Sequence, residues 1–191
     1  MQRIALIVLA GWLLFCAWVA PAAAFLSPGD PAPDFQLADL NGRQVRLSDF
    51  AGRNILLVFG TSWCPACKSQ IGTILKAGPL LQEKGVTVLE VYIKDDPNQI
   101  TKYLADKQFP VPFHALLDDG RAQRGYRIQA IPRVVIIDRD FNIAHDGMKL
   151  SGKALAARIS QLQAAPANTD GSANTIQGPP RPGQARRQPV Q

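Results

Sequence analysis

The chain has 191 residues, of which 47% are hydrophobic, and its formal net charge is +6. This length fits one domain with additional segments, and the apolar content is sufficient for a buried core. The basic residues form no dense stripe with interleaved aromatics, so the composition argues against nucleic-acid binding.

The first 24 residues have the pattern of an export signal. Arg3 precedes an almost continuous apolar run at residues 4–20, and Ala22–Ala24 offers small residues for cleavage before Phe25. The apolar run is close to the shortest length that spans a bilayer, so residues 4–20 could instead remain as an uncleaved membrane anchor. The sequence therefore predicts an exported protein, either soluble or anchored at its N-terminus.

An α/β domain is predicted for residues 25–163. After an extended entry segment, Asn41–Gly42 predicts a β-hairpin because this dipeptide favours a two-residue turn. The further predicted elements are a buried strand (54–59), a helix (64–83) that Pro79 kinks or splits, a second buried strand (86–93), a helix (98–107) capped by Asp95–Asp96, a mostly extended segment (109–117), a short helix ending near Tyr126, two strands (133–138 and 141–144) and a helix after Ser151 that ends near Gln163. This order predicts an α/β sandwich with a mixed sheet.

The C-terminal segment has a different composition from the predicted domain. Residues 164–191 are mostly Ala, Pro, Gly, Gln, Asn and Arg, with few large apolar side chains. Such a segment buries too little apolar surface to offset the entropy lost on ordering, so we expect a disordered tail. The predicted organisation is thus a leader at 1–24, a domain at 25–163 and a tail at 164–191.

The clearest chemistry lies in the stretch Cys64–Pro65–Ala66–Cys67. Two cysteines at this spacing can close a small disulfide and open it again. If Cys64 begins a helix, the unpaired backbone N–H groups and the helix dipole favour its thiolate, while Cys67 would be the resolving thiol. A purely structural crosslink is the alternative, but a ring of four residues removes little chain entropy. With Cys16 in the leader, these are the two cysteines of the exported chain.

Three segments together resemble a known family. They are the entry segment Gly29-Asp30-Pro31-Ala32-Pro33-Asp34-Phe35, the stretch Trp63-Cys64-Pro65-Ala66-Cys67 and the dipeptide Ile131-Pro132. The chain resembles the exported, redoxin-type thiol–disulfide oxidoreductases of the TlpA/ResA kind over about residues 27–163. This resemblance implies a thioredoxin-like fold, in which helices flank a central mixed β-sheet and an N-terminal β-hairpin is an extension.

The resemblance also implies a reaction and its partners. Cys64 matches the exposed nucleophile and Cys67 the buried resolving cysteine, and the two form a redox-active disulfide. The expected substrates are disulfides of exported proteins, for example apocytochrome c or copper-site proteins, in a bacterial periplasm. A membrane thiol reductant of the DsbD type would restore the thiols. No bound cofactor or metal is expected, because the cysteines carry the electrons.

Other residues of the expected site surround this pair. Trp63 matches a residue that shields the cysteines and packs beside the substrate, and Pro65 and Ala66 shape the site between them. Pro132 matches a cis-proline that faces the disulfide. A cis bond here would turn the backbone amide and carbonyl of Ile131 toward an incoming peptide.

The sequence departs from the family where acidic side chains are expected. Val58 occupies the place of a buried carboxylate on the strand before the cysteines, and Gln70 the place of a glutamate after them. Glu90 is the other acid that could point inward, but we expect it to face solvent or an edge, as charged strand residues usually do. Arg133, directly after Pro132, is expected to add positive charge near the site.

Three other functions share some of these residues. A disulfide donor would use the same cysteines at a different reduction potential. A Sco-like copper carrier would add His114 or His145 to the cysteines, although such carriers use a wider cysteine spacing. A peroxiredoxin-like thiol peroxidase would use Thr61 and Arg133 beside the first cysteine, although Leu57 stands where those enzymes have proline.

Overall fold

The structure is a computed structural model that describes residues 25–164. The predicted leader at 1–24 lies outside the described residues, as do residues 165–191 of the predicted tail. Within the described range, no helix has the length and apolar character required to cross a membrane.

The described residues form one sheet with helices on both sides. The strands are β1 (Gln36–Asp39), β2 (Gln44–Arg46), β3 (Asn54–Gly60), β4 (Val86–Ile93), β5 (Phe113–Asp118), β6 (Arg133–Ile137) and β7 (Ile143–Met148). The α-helices are α1 (Pro65–Lys76), α2 (Gly78–Glu83), α3 (Pro97–Leu104), α4 (Arg121–Gly125) and α5 (Gly152–Ser160), and a 3-10 turn spans Leu47–Phe50.

The strands lie in the order β2-β1-β5-β4-β3-β6-β7. Strands β3, β4 and β5 are parallel, whereas β1, β2, β6 and β7 pair antiparallel with their neighbours. The predicted mixed sheet and the N-terminal hairpin are therefore confirmed. The hairpin extends the sheet beyond β5, so the first strands of the domain lie far from β3 in the sheet although they precede it in the chain.

The long helix predicted at 64–83 is two helices. Helix α1 ends before Ala77, and α2 begins with Gly78 and Pro79. Pro79 has no N–H to donate and its ring obstructs the preceding turn, so a continuous helix is broken here. A Cβ at Gly78 would collide with Pro110 Cγ, so the missing side chain lets the segment before β5 pack directly on α2.

Two predicted boundaries differ from those in the structure. The helix expected to reach residue 107 ends at Leu104, and the last strand begins at Ile143 instead of 141. The Asp138 carboxylate accepts hydrogen bonds from the N–H groups of Asp140 and Asn142, which form a turn there. Strand β7 then continues to Met148 because its backbone pairs with β6.

The two faces of the sheet carry separate hydrophobic cores. Along β3, Ile55, Leu57 and Phe59 pack toward α4 and the N-terminal hairpin, while Leu56 and Val58 pack toward α1, α2 and α5. A strand covered on both faces reads as a continuous apolar run, as this one does. The cysteine pair lies on the side of the sheet that α1 covers.

Candidate dithiol site

Helix α1 begins directly after Cys64. Cys64 is the N-cap residue with extended backbone (φ −76°, ψ 119°), and its sulfur accepts a hydrogen bond from the Cys67 backbone N–H, with an N-to-S distance of 3.4 Å. Pro65 occupies the first turn, where its missing N–H costs nothing. The cysteine sulfur thus takes the place of the oxygen that usually caps a helix, and it faces unpaired N–H groups that favour negative charge.

The two cysteines have opposite environments. Cys64 is partly exposed, whereas Cys67 is 1% exposed. Burial pushes the pKa of Cys64 upward, but hydrogen bonds from the Cys67 side chain and from the Cys67 and Ala66 backbone outweigh it and lower this pKa. Burial, followed by the hydrogen bond with Cys64, raises the pKa of Cys67 to about 12. Both are free thiols here, so the predicted Cys64–Cys67 disulfide stays a prediction.

The predicted neighbours of the pair lie at the same end of the sheet. Trp63 is 61% exposed, and Pro65 and Ala66 are also exposed, so the first turn of α1 is an open surface. The Ile131–Pro132 peptide bond is cis. Because Arg133 pairs with Phe59 across antiparallel strands, the bond lies beside the end of β3, where the loop to Cys64 begins.

The two positions expected to carry an acid are neutral and buried. Val58 is fully buried among the apolar side chains beneath α1. Gln70 is fully buried too, and its Oε1 accepts a hydrogen bond from the Leu150 N–H at 2.7 Å. Gln70 therefore attaches α1 to the segment after β7.

Glu90 is where the structure differs most from the sequence-based expectation. The expectation of an exposed or edge position is wrong: Glu90 is 1% exposed, in the interior strand β4, and it pairs in register with Val58. The Tyr92 hydroxyl donates a 2.7 Å hydrogen bond to its carboxylate. Burial raises the pKa of Glu90 to about 8, against the opposing effect of this hydrogen bond.

Glu90 lies next to the resolving cysteine because Gly60 has no side chain. A Cβ at Gly60 would lie 3.3 Å from Cys67 Sγ and 3.5 Å from Glu90 Oε1. The sequence offered two signals for this arrangement, a glycine ending a buried strand and an acid inside the next one. Neither signal alone identifies the contact.

A second acid fixes the loop in front of the cysteines. Asp95 was predicted to cap a helix, but its carboxylate accepts hydrogen bonds from both the N–H and the hydroxyl of Ser62, the hydroxyl at 3.0 Å. Asp96 is the actual cap of α3 and accepts from Asn98 and Gln99 N–H groups. Sequence reasoning missed the Asp95 contact because its two partners are 33 residues apart.

Arg133 does not add free positive charge to the site. It forms an ion pair with Asp146, and the two side chains are 3% and 0% exposed. The Phe25 ring covers the guanidinium, with 3.8 Å from Arg133 Cζ to the ring centroid. Arg133 pairs with Phe59, so it belongs to the sheet face opposite Cys67, and the expected contribution to the cysteines is wrong.

The two histidines lie apart from the cysteines. His114 pairs with Leu89 and stacks edge-on against Phe50, whereas His145 pairs with Ile136, so they lie on opposite faces of the sheet. Between residues 25 and 164 no group of three or more His, Cys, Asp or Glu side chains is placed to hold a metal ion. The geometry gives the copper-carrier alternative no support.

A parallel-centred mixed sheet, a cysteine pair at the start of its first long helix and an adjacent cis-proline define the thioredoxin-like class of protein. Residues 28–146 match the model of the AhpC/TSA family, and the chain belongs to this family.

Comparison with known proteins agrees with this class. The chain is 29% identical over 113 residues to the thiol-disulfide oxidoreductase ResA of Geobacillus thermodenitrificans, covering 59% of this chain and 64% of that relative. It is 27% identical over 114 residues to ResA of Bacillus subtilis, covering 59% and 63%. The matches thus span slightly less than two thirds of these relatives' own length.

Solved structures share the fold. A Chlorobium tepidum structure named for the thiol:disulfide interchange protein DsbE has a TM-score of 0.62 and 29% identity, covering 71% of this chain and 96% of that one. The thioredoxin domain of a Bacteroides vulgatus thiol-disulfide oxidoreductase has a TM-score of 0.61 and 24% identity, with coverage of 71% and 96%. The predicted thioredoxin-like fold is confirmed.

Proposed function

We propose that this protein is a thiol–disulfide oxidoreductase that uses Cys64 and Cys67. The observation that carries the proposal is the asymmetry of the pair: an accessible sulfur with a lowered pKa caps α1, and a buried thiol with a raised pKa lies behind it. The thiolate is the species that attacks disulfides, so Cys64 is suited to begin exchange and Cys67 to complete it.

The reaction proceeds in two displacements. The Cys64 thiolate attacks one sulfur of a substrate disulfide, and the other substrate sulfur leaves as a thiolate. Cys67 then loses its proton and attacks Cys64 Sγ, which closes the Cys64–Cys67 disulfide and releases the second substrate sulfur. Two electrons pass from the dithiol to the substrate, and no other carrier is required. The reverse sequence would donate a disulfide.

The surroundings of Cys64 suit a polypeptide substrate. Trp63 offers an exposed aromatic surface beside the sulfur. The backbone of Ile131 and Pro132 directly precedes β6, at the end of the sheet where Cys64 lies, and would pair with an extended peptide. The named relatives support an oxidoreductase of the ResA or DsbE type. We further propose that the protein reduces disulfides of exported proteins such as apocytochrome c or copper-site proteins in the periplasm, with electrons from a DsbD-type membrane reductant.

The trapping of mixed disulfides tests the roles of the two cysteines. In C67S the first displacement proceeds and the second cannot, so covalent adducts to exported proteins should accumulate and disappear with dithiothreitol. The matched variant C64S should form none, because its remaining thiol is buried. If C67S and C64S trap equally little from a periplasmic extract, or C64S traps as much as C67S, the assignment is wrong.

The reduction potential of the pair tests the direction. Equilibration with glutathione should give a value near that of thioredoxin, about −270 mV, if the protein is a reductase. A value near that of DsbA, about −120 mV, would instead identify a disulfide donor.

A further inference from the structure

The second displacement requires a proton acceptor for Cys67. Its thiol is 1% exposed and has its pKa raised to about 12, so bulk water does not readily take its proton at neutral pH. The step from mixed disulfide to products is therefore slow unless a nearby group accepts this proton. This reasoning rests on the proposed function, in which Cys67 attacks Cys64.

Glu90 is the carboxylate placed to do this. Cys67 Sγ and Glu90 Oε1 both lie within 3.5 Å of the position that a Cβ of Gly60 would fill. The negative charge of Glu90 is one of the causes that raise the Cys67 pKa, so the two groups interact electrostatically. The in-register neighbours of Glu90 are Val58 and Ala115, which offer no competing polar atom on either flanking strand.

The other charged groups around Glu90 leave it able to gain and lose a proton. Tyr92 on β4 donates to it, Asp95 after β4 raises its pKa, and Lys107 after α3 lowers it. Tyr103 on α3 also interacts with both Glu90 and Cys67, and burial raises its own pKa, so it stays a neutral phenol. A carboxyl group whose pKa lies near neutral pH can act as a base when ionised and as an acid when protonated.

We propose that Glu90 exchanges the proton of Cys67 during disulfide exchange. When the protein reduces a substrate, the Glu90 carboxylate takes the proton from Cys67 Sγ, and the resulting thiolate forms the bond to Cys64 Sγ as the bond to the substrate sulfur breaks. When the disulfide is reduced in turn, the Glu90 carboxyl group returns the proton to the departing Cys67 sulfur. The positions of protons and electrons balance in both directions.

The reaction of the reduced protein with the aryl disulfide 5,5′-dithiobis(2-nitrobenzoate), which releases thionitrobenzoate in two steps, tests this assignment. The first equivalent of thionitrobenzoate reports attack by Cys64, and the second, which does not depend on reagent concentration, reports attack by Cys67. We expect E90Q to slow the second phase by about a hundredfold, within the range that a positioned base contributes. E90D should recover part of the rate, and E83Q, the same change at an exposed position, should match the wild type.

The direction of the effect separates proton transfer from a purely electrostatic role. Without the charge of Glu90 the Cys67 pKa falls, so E90Q would accelerate the second phase if Glu90 acted only through its field. An unchanged or faster second phase in E90Q therefore overturns the proposal. If the wild type never releases the second equivalent, the proposed function of the cysteine pair fails instead.

The wild-type protein provides a test that needs no variant. The rate of the second phase should rise with pH through the ionisation of Glu90, which nuclear magnetic resonance of the labelled carboxyl carbon measures independently. Coincident midpoints support proton transfer to Glu90. Midpoints that differ by more than one pH unit overturn it, even if E90Q does not fold.

Discussion

At the scale of single residues, the Glu90 carboxyl group is buried away from solvent. A hydrogen bond from the Tyr92 hydroxyl stabilises its ionised form only in part. A buried acid of this kind stabilises the folded state less when it is ionised. Its burial in the interior strand β4 therefore opposes ionisation, and the neighbouring thiol of Cys67 is the group with which it can exchange a proton.

A pH-dependent stability follows from the raised pKa of Glu90. The pKa rises from 4.5 to about 8 on folding, so between these values the unfolded chain has lost a proton that the folded chain keeps, and stability falls as pH rises. We expect E90Q to gain stability relative to the wild type by roughly 1 kcal/mol per pH unit in this window. Urea unfolding of the reduced proteins at pH 5 and pH 8 should show a difference in unfolding free energy between E90Q and the wild type that grows with pH. The control variant E83Q should show no such pH-dependent difference from the wild type. A constant difference for E90Q would place the Glu90 pKa near its unfolded value.

At the scale of elements, two adjacent acids after β4 attach different parts of the structure. Asp96 begins α3, whereas Asp95 reaches the loop between β3 and α1. The position of Cys64 at the start of α1 therefore depends on a contact made from another strand. The α1 helix is attached at its other side through the hydrogen bond between Gln70 and Leu150.

Alanine substitutions should separate these two roles. D96A removes a helix cap and should cost about 1 kcal/mol of unfolding free energy without altering the Cys64 reaction. D95A leaves the Ser62 N–H and hydroxyl without their acceptor, and should cost about 1–3 kcal/mol. Because the loop before Cys64 then loosens, D95A should also slow the first phase of aryl disulfide release by roughly tenfold. Equal first-phase rates in D95A and D96A would show that Asp95 does not position the loop.

At the scale of the whole molecule, the entry segment at residues 25–33 connects the two edge strands of the sheet, β7 and β2. Its backbone hydrogen-bonds to the start of β7 through Gly29, Asp30 and Ala32, and the chain then crosses to the hairpin at the opposite edge. Leu26 N–H donates to Asp146, so the same segment covers the buried ion pair. An edge strand covered in this way is protected from pairing with another chain.

Shortening the chain to begin at Asp34 should therefore affect both stability and association. At about 1 kcal/mol for each lost hydrogen bond, the loss is roughly 3–5 kcal/mol, or roughly 10 °C or more in Tm. The exposed start of β7 should also cause concentration-dependent self-association in analytical ultracentrifugation. F25A, which removes only the ring over Arg133, should match the wild type in self-association and lose less stability than the shortened chain. A shortened chain with unchanged Tm would show that the segment is dispensable.

Much of the fold could be predicted because its signals are local. The hairpin turn, the two buried strands, the helix cap at Ser151 and the break at Pro79 each depend on a few consecutive residues. The boundaries that were wrong depend on side chains that bond the backbone, such as Asp138 in the turn before β7. The cysteine pair is visible as a short motif, whereas the cis bond before Pro132 was implied by the family resemblance; the structure has both at the same end of the sheet.

The sequence by itself identified the cysteine pair and predicted the order of the strands and helices along the chain, because strand and helix patterns depend on neighbouring residues. The tertiary structure alone decided the surroundings of Glu90, Asp95 and Arg133. Alternation along a strand assigns each side chain to a face, but what covers that face depends on elements distant in the chain. Glu90 lies near Gly60 and Cys67 because β4 lies beside β3 beneath α1, and no local pattern specifies that packing.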